Sequence, residues 1–253
     1  MTDLCIHRCL RHMHFDNYTH VEIRNVTIWC DWRRQAALAG LPLRALPEPQ
    51  ASAKLPPLAI TREEEELLAK WVEATMAQGG APMLPFNTDG IDPGVGSNDV
   101  WIHNLTVENF DDVVAIKPCN GKCKETMLCT EDILVEDVTV FLGVGLSVGS
   151  VSPHTPTNCI RNITFRDARF DLPFKAIYVK TNSGDEGDGL IENIRYEDMV
   201  INKPFVWPVC ESAAPYTPAA CRSHLSVSLP PPDIGPQQQK VFPPPPPPSP
   251  FTL

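Results

Sequence analysis

The chain has little positive charge and no long hydrophobic run. Its 253 residues hold 21 Lys and Arg against 31 Asp and Glu, a formal net charge of -10 at pH 7. This balance argues against nucleic acid and against an anionic membrane surface as partners. No apolar run approaches a membrane span, and residues 1–15 are too polar for a signal peptide. A secreted protein with this sequence is therefore expected to have an incomplete or unconventional N-terminus.

A short phrase in which branched apolar residues alternate with polar ones recurs along the chain. Copies lie at residues 21–28, 100–107 and 133–140, and looser ones at 158–165 and 189–196. Alternation of this kind is the period of a strand with one buried face. Stacked parallel strands bury that face continuously, so the repeat predicts an all-β fold, a right-handed parallel β-helix built as a single-stranded solenoid.

Each copy has an Asn or Asp at its centre. These residues are Asn25, Asn104, Asp137, Asn162 and Asn193, in steps of 79, 33, 25 and 31 residues. Three steps lie within the usual repeat range, and an insertion explains the first. The three asparagines at 25, 104 and 162 also match the N-glycosylation pattern, but their repeat position favours a stacked ladder at a bend. Asn17, in Asn17-Tyr18-Thr19, lies outside the phrase and is the better glycan candidate.

Two motifs carry three carboxylates. Asp89 lies in Asn87-Thr88-Asp89-Gly90, and Asp111 and Asp112 follow 22 residues later, about one coil of a solenoid. Neighbouring residues on a flat strand face opposite ways, so Asp111 and Asp112 share a groove only at a bend or bulge, which we predict. An isolated Asp-Asp pair is usually a solvated turn. With a third acid one coil away, the pattern instead favours the acid cluster of a catalytic groove.

Composition divides the chain into a solenoid and inserted segments. The β-helix is expected over residues 1–32 and 81–208, with an insertion at 33–80. A capping box, Thr61-Arg62-Glu63-Glu64, predicts a helix at about 61–78, ended by Gly79-Gly80 and packed on the solenoid or capping it. A Pro/Ala/Ser-rich insertion at 209–232 and a disordered proline-rich tail at 233–253 complete the chain. The apolar face of the helix comprises Leu67, Leu68, Trp71, Val72, Thr75 and Met76.

Nine cysteines are many for a cytosolic protein and an odd number for a secreted one. Cys119, Cys123 and Cys129 crowd the loop at 118–131, where a disulfide that staples the loop is favoured over a metal site. At least one cysteine is then left over or paired at a distance. No metal or cofactor is expected. A second group, whose spacings match no standard zinc site, comprises Cys5, His7, Cys9, His12, His14 and His20.

Four motifs, taken in order, resemble a known family. They lie at residues 85–93, 111–117, 145–150 and 179–181, and together they resemble the polygalacturonases, glycoside hydrolase family 28. The resemblance covers about residues 12–32 and 81–208 and lacks the early coils of the family. It implies a right-handed parallel β-helix, inverting hydrolysis of α-1,4-galacturonide linkages in pectin, and an extracellular or cell-wall location.

The resemblance also implies roles for individual residues. Asp111 corresponds to the general acid, and Asp89 and Asp112 to the residues that hold and deprotonate water, with acid and base carboxyls about 6.5 to 9.5 Å apart. The expected partner is a pectic or other acidic polysaccharide, and the protein is expected to be a monomer. The expected substrate-binding residues are Asn87, Lys117, Tyr178 and Lys180.

The sequence departs from the family pattern at two positions. Val144 stands where the family has the His of Gly-His-Gly, and Tyr178 where it has the Arg of Arg-Ile-Lys. A lysine such as Lys180 does not replace the bidentate fork of an arginine, so reduced activity or an altered substrate is expected. The alternative is a solenoid that binds acidic polysaccharide without cutting it. Residues that could reach the groove in compensation are His154, Arg161 and Lys175.

Overall fold

The computed structural model describes residues 13–30, 32–33, 60–77, 88–119, 128–152, 157–182 and 188–213. The chain divides into two compact units, Met1–Ser223 and His224–Leu253, and every described residue belongs to the first. The proline-rich tail, Gly79-Gly80, and Cys5, His7, Cys9 and His12 lie outside the described residues. Within the described part, no helix is long and apolar enough to cross a membrane.

Eleven strands and one helix of 16 residues make up most of the regular structure of the described residues, and Trp32 and Arg33 are helical as well. Helix α1, Arg62–Ala77, lies between the second and third strands. The strands are β1 (Met13–Phe15), β2 (Thr19–Trp29), β3 (Ile91–Pro93), β4 (Asn98–Asn109), β5 (Asp112–Ile116), β6 (Thr130–Leu142), β7 (Gly145–Val151), β8 (Thr157–Asp171), β9 (Lys175–Thr181), β10 (Asp188–Asn202) and β11 (Trp207–Ala213).

The strands form two sheets. One sheet has the order β1-β3-β5-β7-β9-β11 and the other β10-β8-β6-β4-β2, and the paired strands are parallel. We call them the odd-strand sheet and the even-strand sheet. Successive strands alternate between the sheets, so each coil adds one strand to each sheet. The predicted parallel β-helix is confirmed.

The core lies between the two sheets, where the inward residues of each coil stack on those of the next. Val100 and Ile102 of β4 pair in register with Ile133 and Val135 of β6, and all four are buried. At about 25 cal/mol per Å² of apolar surface, a stack of this kind stabilises the fold by burial alone. The alternation seen in the sequence is therefore the inward and outward alternation of each strand.

Two ladders of left-handed residues run along the even-strand sheet, five residues apart. All ten members have φ between 51° and 57°, a conformation that Asn and Asp tolerate better than most residues. In one ladder the side-chain amide of Asn104 donates a hydrogen bond to Asn25 Oδ1 at 2.5 Å. In the other, the side-chain amide of Asn193 donates to Asn162 Oδ1 at 2.8 Å. The first ladder is Asn25, Asn104, Asp137, Asp167 and Asp198, and the second is His20, Asp99, Asp132, Asn162 and Asn193.

The alignment of the two looser repeats was wrong by five residues. Asn162 stacks on Asp132, to which its amide donates at 2.9 Å, rather than on Asp137. The residue that follows Asp137 in its own ladder is Asp167, so the step there is 30 residues and not 25. The two ladder positions share residue type and flanking alternation, and only the pairing between coils distinguishes them. The asparagines of the three repeat sequons are all ladder residues, as predicted.

The capping box and the helix it opens are confirmed. Thr61 Oγ1 accepts from the Glu64 amide at 3.2 Å, and Glu64 Oε2 accepts from the Thr61 amide at 2.9 Å. Leu68 and Val72 are buried in a second apolar cluster. The helix therefore packs on the solenoid as expected. The buried residues of the coils in that cluster are Cys30, Trp32, Phe110, Phe141, Leu142, Leu172 and Phe174.

One sequence-based boundary needs correction. Strand β11 pairs with β9 in the odd-strand sheet, so the solenoid continues to Ala213 and the boundary at 208 was too early. Cys129 forms a disulfide with Cys159, 30 residues away, so it ties β8 to the start of β6 and is a cysteine of the loop that pairs at a distance, as expected. Cys119 is also disulfide-bonded, while Cys123 lies outside the described residues.

Candidate active site

The three predicted aspartates lie together at one edge of the odd-strand sheet. Asp89 precedes β3, and Asp111 and Asp112 stand at the start of β5 in the next coil. One carboxylate oxygen from each residue lies within 4.8 Å of the others. Asp89 and Asp112 are buried, with 4% and 5% exposure, and Asp111 is partly exposed. The predicted cluster of three acids is confirmed.

A bend and a bulge bring the two adjacent aspartates to the same side. The chain bends at Phe110 and Asp111, and the pairing of β5 with β7 shifts register between Asp112 and Val114. Asp111 Oδ1 accepts a hydrogen bond from the Asp112 amide at 3.0 Å. This irregularity is what the sequence required for both side chains to share one groove.

The acids of two adjacent coils meet through single oxygen atoms. The nearest oxygens lie within 4.8 Å of one another, a different measure from the separation of about 6.5 to 9.5 Å between the whole carboxyl groups of an inverting pair. The stack of one coil directly on the next, through the Gly90 amide and the Asp112 carbonyl at 2.8 Å, accounts for this proximity.

Neutral side chains hold the acid-bearing turns in place. The side-chain amide of Asn109 is buried and donates hydrogen bonds to the backbone carbonyl oxygens of Thr88 and Asp112, both at 2.9 Å. The Phe110 amide donates to Thr88 Oγ1 at 3.1 Å. Ser147 on β7 donates to Asp112 Oδ1 at 2.5 Å. Sequence reasoning missed Asn109 and Ser147, although Asn109 adjoins the acid motif and Ser147 lies inside a family-like one.

A lysine ammonium lies among the acids. Lys117 Nζ is 3.3 Å from Asp89 Oδ2, 3.4 Å from Asp112 Oδ2 and 3.9 Å from Asp92 Oδ2. Burial opposes its charge, but the three carboxylates outweigh burial and raise the pKa of Lys117. Carboxylate oxygens are also the ligands of hard cations. Here the cluster contains a cation of its own.

Asp92 is a fourth carboxyl of the site, which sequence reasoning did not single out. Its side chain is fully buried. Burial raises the pKa of Asp92 to about 8; Lys117 opposes this shift, and Asp89 and Asp112 add to it. The signal was present in the sequence, because an Asp within an otherwise apolar strand is unusual unless it is paired.

A second lysine approaches the acids from β9. Lys175 Nζ lies 3.8 Å from the ring centroid of Tyr178, and Tyr178 is 2% exposed. Burial lowers the pKa of Lys175 to about 8, with Asp112 opposing and the charge of Lys180 adding to the shift. Asp111 also acts on it. Of the proposed compensating residues, Lys175 therefore lies within electrostatic range of Asp111 and Asp112, and its ammonium rests on the ring of Tyr178.

The remaining candidates from the sequence differ in where they lie relative to the acids. Arg161 is in the even-strand sheet, where it forms an ion pair with Glu131. The backbone amide of Val144 donates a hydrogen bond to the Asp111 carbonyl at 2.8 Å. This position therefore adjoins the acid, as the family pattern implies. Asn87 and His154 lie outside the described residues.

Comparisons with known proteins match this architecture. The profile described as Glycosyl hydrolases family 28 matches residues 62–210. The chain is 36% identical over 121 residues to a probable endo-xylogalacturonan hydrolase A of Emericella nidulans, covering 47% of this chain and 27% of that protein. It is 28% identical over 130 residues to a probable endopolygalacturonase D of Neosartorya fischeri, covering 51% of this chain and 24% of that protein.

One solved structure is also similar. It is the endo-xylogalacturonan hydrolase of Aspergillus tubingensis, at 21% identity and a TM-score of 0.47, covering 76% of this chain and 36% of that chain. The matched segments span about a quarter of the length of the two curated relatives. The family profile nevertheless matches more than half of the chain. The chain belongs to glycosyl hydrolases family 28.

Proposed function

We propose that this protein hydrolyses α-1,4-galacturonide linkages in a pectin-like polysaccharide, with inversion at the anomeric carbon. The observation that carries the proposal is the meeting of three carboxylates, one oxygen of each within 4.8 Å of the others. Paired carboxyls that act as acid and base are what glycoside hydrolysis requires. Membership of the family, and similarity to a probable endo-xylogalacturonan hydrolase and a probable endopolygalacturonase, point the same way.

The geometry suggests how the roles divide. Asp111 is the most exposed of the three, which suits an acid that must reach the glycosidic oxygen. It gives its proton to that oxygen as the bond between oxygen and the anomeric carbon breaks. Water held by Asp89 and Asp112 attacks the carbon from the opposite face and transfers a proton to one of these carboxylates.

Cations beside the acids favour a substrate with negative charge. Lys175 and Lys180 lie on β9, close enough for their charges to interact. An ammonium in a partly dry groove is a good partner for a uronate carboxylate, although it lacks the fork of an arginine. Tyr178 and Lys180 remain predicted substrate-binding residues, as does Asn87 outside the described part of the chain.

The proposed setting is extracellular. A disulfide joins Cys129 and Cys159. Cys119 and Cys210 each take part in a disulfide as well. Disulfides persist in oxidising compartments and are rare in the cytosol. A pectic polymer is found in the same setting. We propose a monomer that acts on this polymer without a cofactor.

The test is release of reducing ends from polygalacturonate, rhamnogalacturonan and xylogalacturonan. Asp111→Asn removes the proton donor and is expected to lower kcat by about 100-fold or more. The matched control is Asp99→Asn, the same substitution at an exposed ladder position of the even-strand sheet, which is expected to leave the rate unchanged. No release from any of the three polymers by the unsubstituted protein would overturn the proposal.

Stereochemistry has its own measurement. Proton NMR of the first product distinguishes the β-anomer, expected for inversion of an α-linkage, from the α-anomer of a retaining reaction. The two mechanisms give different anomers from the same α-linked substrate, so this outcome tests the inverting part of the proposal. An α-anomer would reject inversion and keep hydrolysis.

The second candidate is a solenoid that binds acidic polysaccharide without cutting it. Val144 beside Asp111, and the buried Tyr178 where the family pattern has an arginine, favour it. Binding of polygalacturonate that persists without release of reducing ends, and that is lost in Lys180→Met, would select this function over hydrolysis.

A further inference from the structure

Resting on the proposed function, we propose that Lys117 and Asp92 are positioning residues of the acid cluster. The Lys117 ammonium holds the Asp89 and Asp112 carboxylates side by side as the pair that holds water, and Asp92 is a buried neutral acid next to them. Neither residue needs to touch the substrate. Lys117, expected from the sequence to bind substrate, is thereby given a different role.

The backbone of Lys117 is fixed on both sides. Its amide donates to the Pro93 carbonyl at 2.8 Å, and its carbonyl accepts from Thr130 Oγ1 at 2.8 Å. Its side chain is 18% exposed, so most of its length is covered. An ammonium held in this way has little freedom to leave the cluster for a substrate.

The contacts of the ammonium are with the acids of two coils. Nζ lies 3.3 Å from Asp89 Oδ2 and 3.4 Å from Asp112 Oδ2. A charge placed at nearly equal distances from two carboxylates stabilises both in the ionised form, and does so most strongly where water is scarce. One cation therefore links Asp89, two residues before β3, to Asp112, the first residue of β5.

Asp92 is in a different position. Its carboxyl is fully buried, its distance to Lys117 Nζ is longer at 3.9 Å, and no donor among the described residues reaches either of its oxygens. Like burial, the charge of Asp89 raises the pKa of Asp92. A buried carboxyl that no donor reaches and that lies beside like charges is favoured in its protonated form.

The charge balance of the site agrees. Were Asp92 ionised, one ammonium would face three buried carboxylates; with Asp92 neutral it faces two. The other titratable groups around the cluster are His14, which pairs with Asp92 in register across β1 and β3, Asp111 just before β5, Lys175 and Lys180 on β9, and Tyr196 on β10, on whose pKa the charge of Asp112 acts.

The first test uses activity. In Lys117→Gln the pair is harder to ionise, so the acidic limb of the pH profile of kcat/KM moves to higher pH by about one unit, and kcat falls about tenfold. Lys117→Arg keeps the charge and restores the limb toward its original position. A limb that does not move in Lys117→Gln, with the fold intact by circular dichroism, overturns the role of Lys117.

The second test does not use activity. The carboxyl carbon of Asp92 in the unsubstituted protein, assigned by its loss in Asp92→Asn, is expected to titrate by NMR near pH 8. A folded-state pKa above the unfolded one means that stability is lost as the pH rises toward 8. The Tm of Asp92→Asn should therefore rise relative to the unsubstituted protein between about pH 4 and 8, while Asp99→Asn shows no such trend.

The two readouts separate failure of this inference from failure of the proposed function. If Asp92 titrates near pH 8 but no pectic polymer is cut, the buried charge arrangement stands and the hydrolytic function falls. If the polymer is cut but Asp92 titrates near pH 4, the inference is overturned. The NMR measurement needs only the unsubstituted protein and Asp92→Asn, so it decides whether Asp92 is protonated even if Lys117→Gln does not fold.

Discussion

The Gly90 amide donates a hydrogen bond to the Asp112 carbonyl at 2.8 Å. Through it, the turn that carries Asp89 rests directly on the start of β5, one coil away. The approach is close because residue 90 has no side chain: a Cβ added there would lie 2.3 Å from the Val113 carbonyl oxygen. The position of Asp89 relative to Asp112 thus depends on a glycine.

Gly90→Ala should damage the site and the fold together. The methyl group would force the two coils apart, which is expected to cost about 1–3 kcal/mol in the free energy of unfolding and to lower kcat. Urea denaturation and reducing-end release measure the two effects. Gly189→Ala is the matched control, because an added Cβ there lies no closer than 3.6 Å to its neighbours. Equal effects of the two substitutions would contradict the argument.

Substrate affinity should depend on the charge of Lys175. Its pKa is lowered to about 8 by burial, so its ammonium is lost as the pH rises through 8 and KM for polygalacturonate should rise there. Lys175→Met should raise KM about tenfold at pH 6 and flatten the dependence. The control is Lys203→Met, whose ammonium pairs with Glu65 on α1. A KM that is constant from pH 6 to 10 in the unsubstituted protein would refute the role of Lys175.

The contribution of Glu64 at the start of helix α1 to the free energy of unfolding should fall at acidic pH. The Arg33 guanidinium, with two hydrogen bonds to Glu64 at 2.7 and 3.0 Å, lowers the pKa of that carboxyl to about 2. A depressed pKa means that the stabilisation is present above the unfolded value and is lost as the pH falls toward 2. Glu64→Gln should cost about 1–2 kcal/mol at pH 7 and progressively less below pH 4.

Urea unfolding at pH 7 and at pH 3 checks the Glu64 prediction. The matched control is Glu66→Gln, which removes the exposed helix pair with Arg62 and should change stability by about 0.5 kcal/mol or less at either pH. A cost of Glu64→Gln that does not change with pH would speak against the ion pair with Arg33 as its source.

Two substitutions of the ladder residue Asn104 should distinguish the cost of its left-handed backbone from the loss of its hydrogen bond. This residue has φ of 53° and donates to Asn25. Asn104→Ala should cost about 1–2 kcal/mol for the left-handed backbone in addition to the lost hydrogen bond. Asn104→Gly loses only the bond and some chain entropy, so it should be the milder change. Glu197→Ala, at an exposed strand position, serves as the control, and an alanine variant more stable than the glycine variant would refute this account.

The acid cluster was predictable because its signal is local. The spacing of 22 residues between Asp89 and Asp111 matches one coil, and adjacent acids can share a groove only at an irregular position, so the bend followed from strand geometry. The capping box at Thr61 and Glu64 was equally local. In such cases the residues that interact are also close in sequence or separated by a fixed repeat.

The registers and the contacts of the cations were not predictable in the same way. Asn162 matches both ladder positions by residue type, and only its pairing with Asp132 selects one. The sequence pointed to Lys117 and Lys175 but not to their contacts, because Lys117 lies 28 residues from Asp89 and Lys175 is on a coil farther along. Where a long side chain ends depends on what surrounds it after several coils have stacked, and a single sequence does not contain that information.

The sequence by itself determined the period of the strands, the inward and outward faces, and the coils that carry the aspartates, because alternation and spacing are properties of the chain. Tertiary structure alone decided that Lys117 lies between Asp89 and Asp112, that Asp92 is buried next to them, and that Lys175 rests on Tyr178. These outcomes depend on hydrogen bonds between coils and on exclusion of water, which exist only once the chain has wound onto itself.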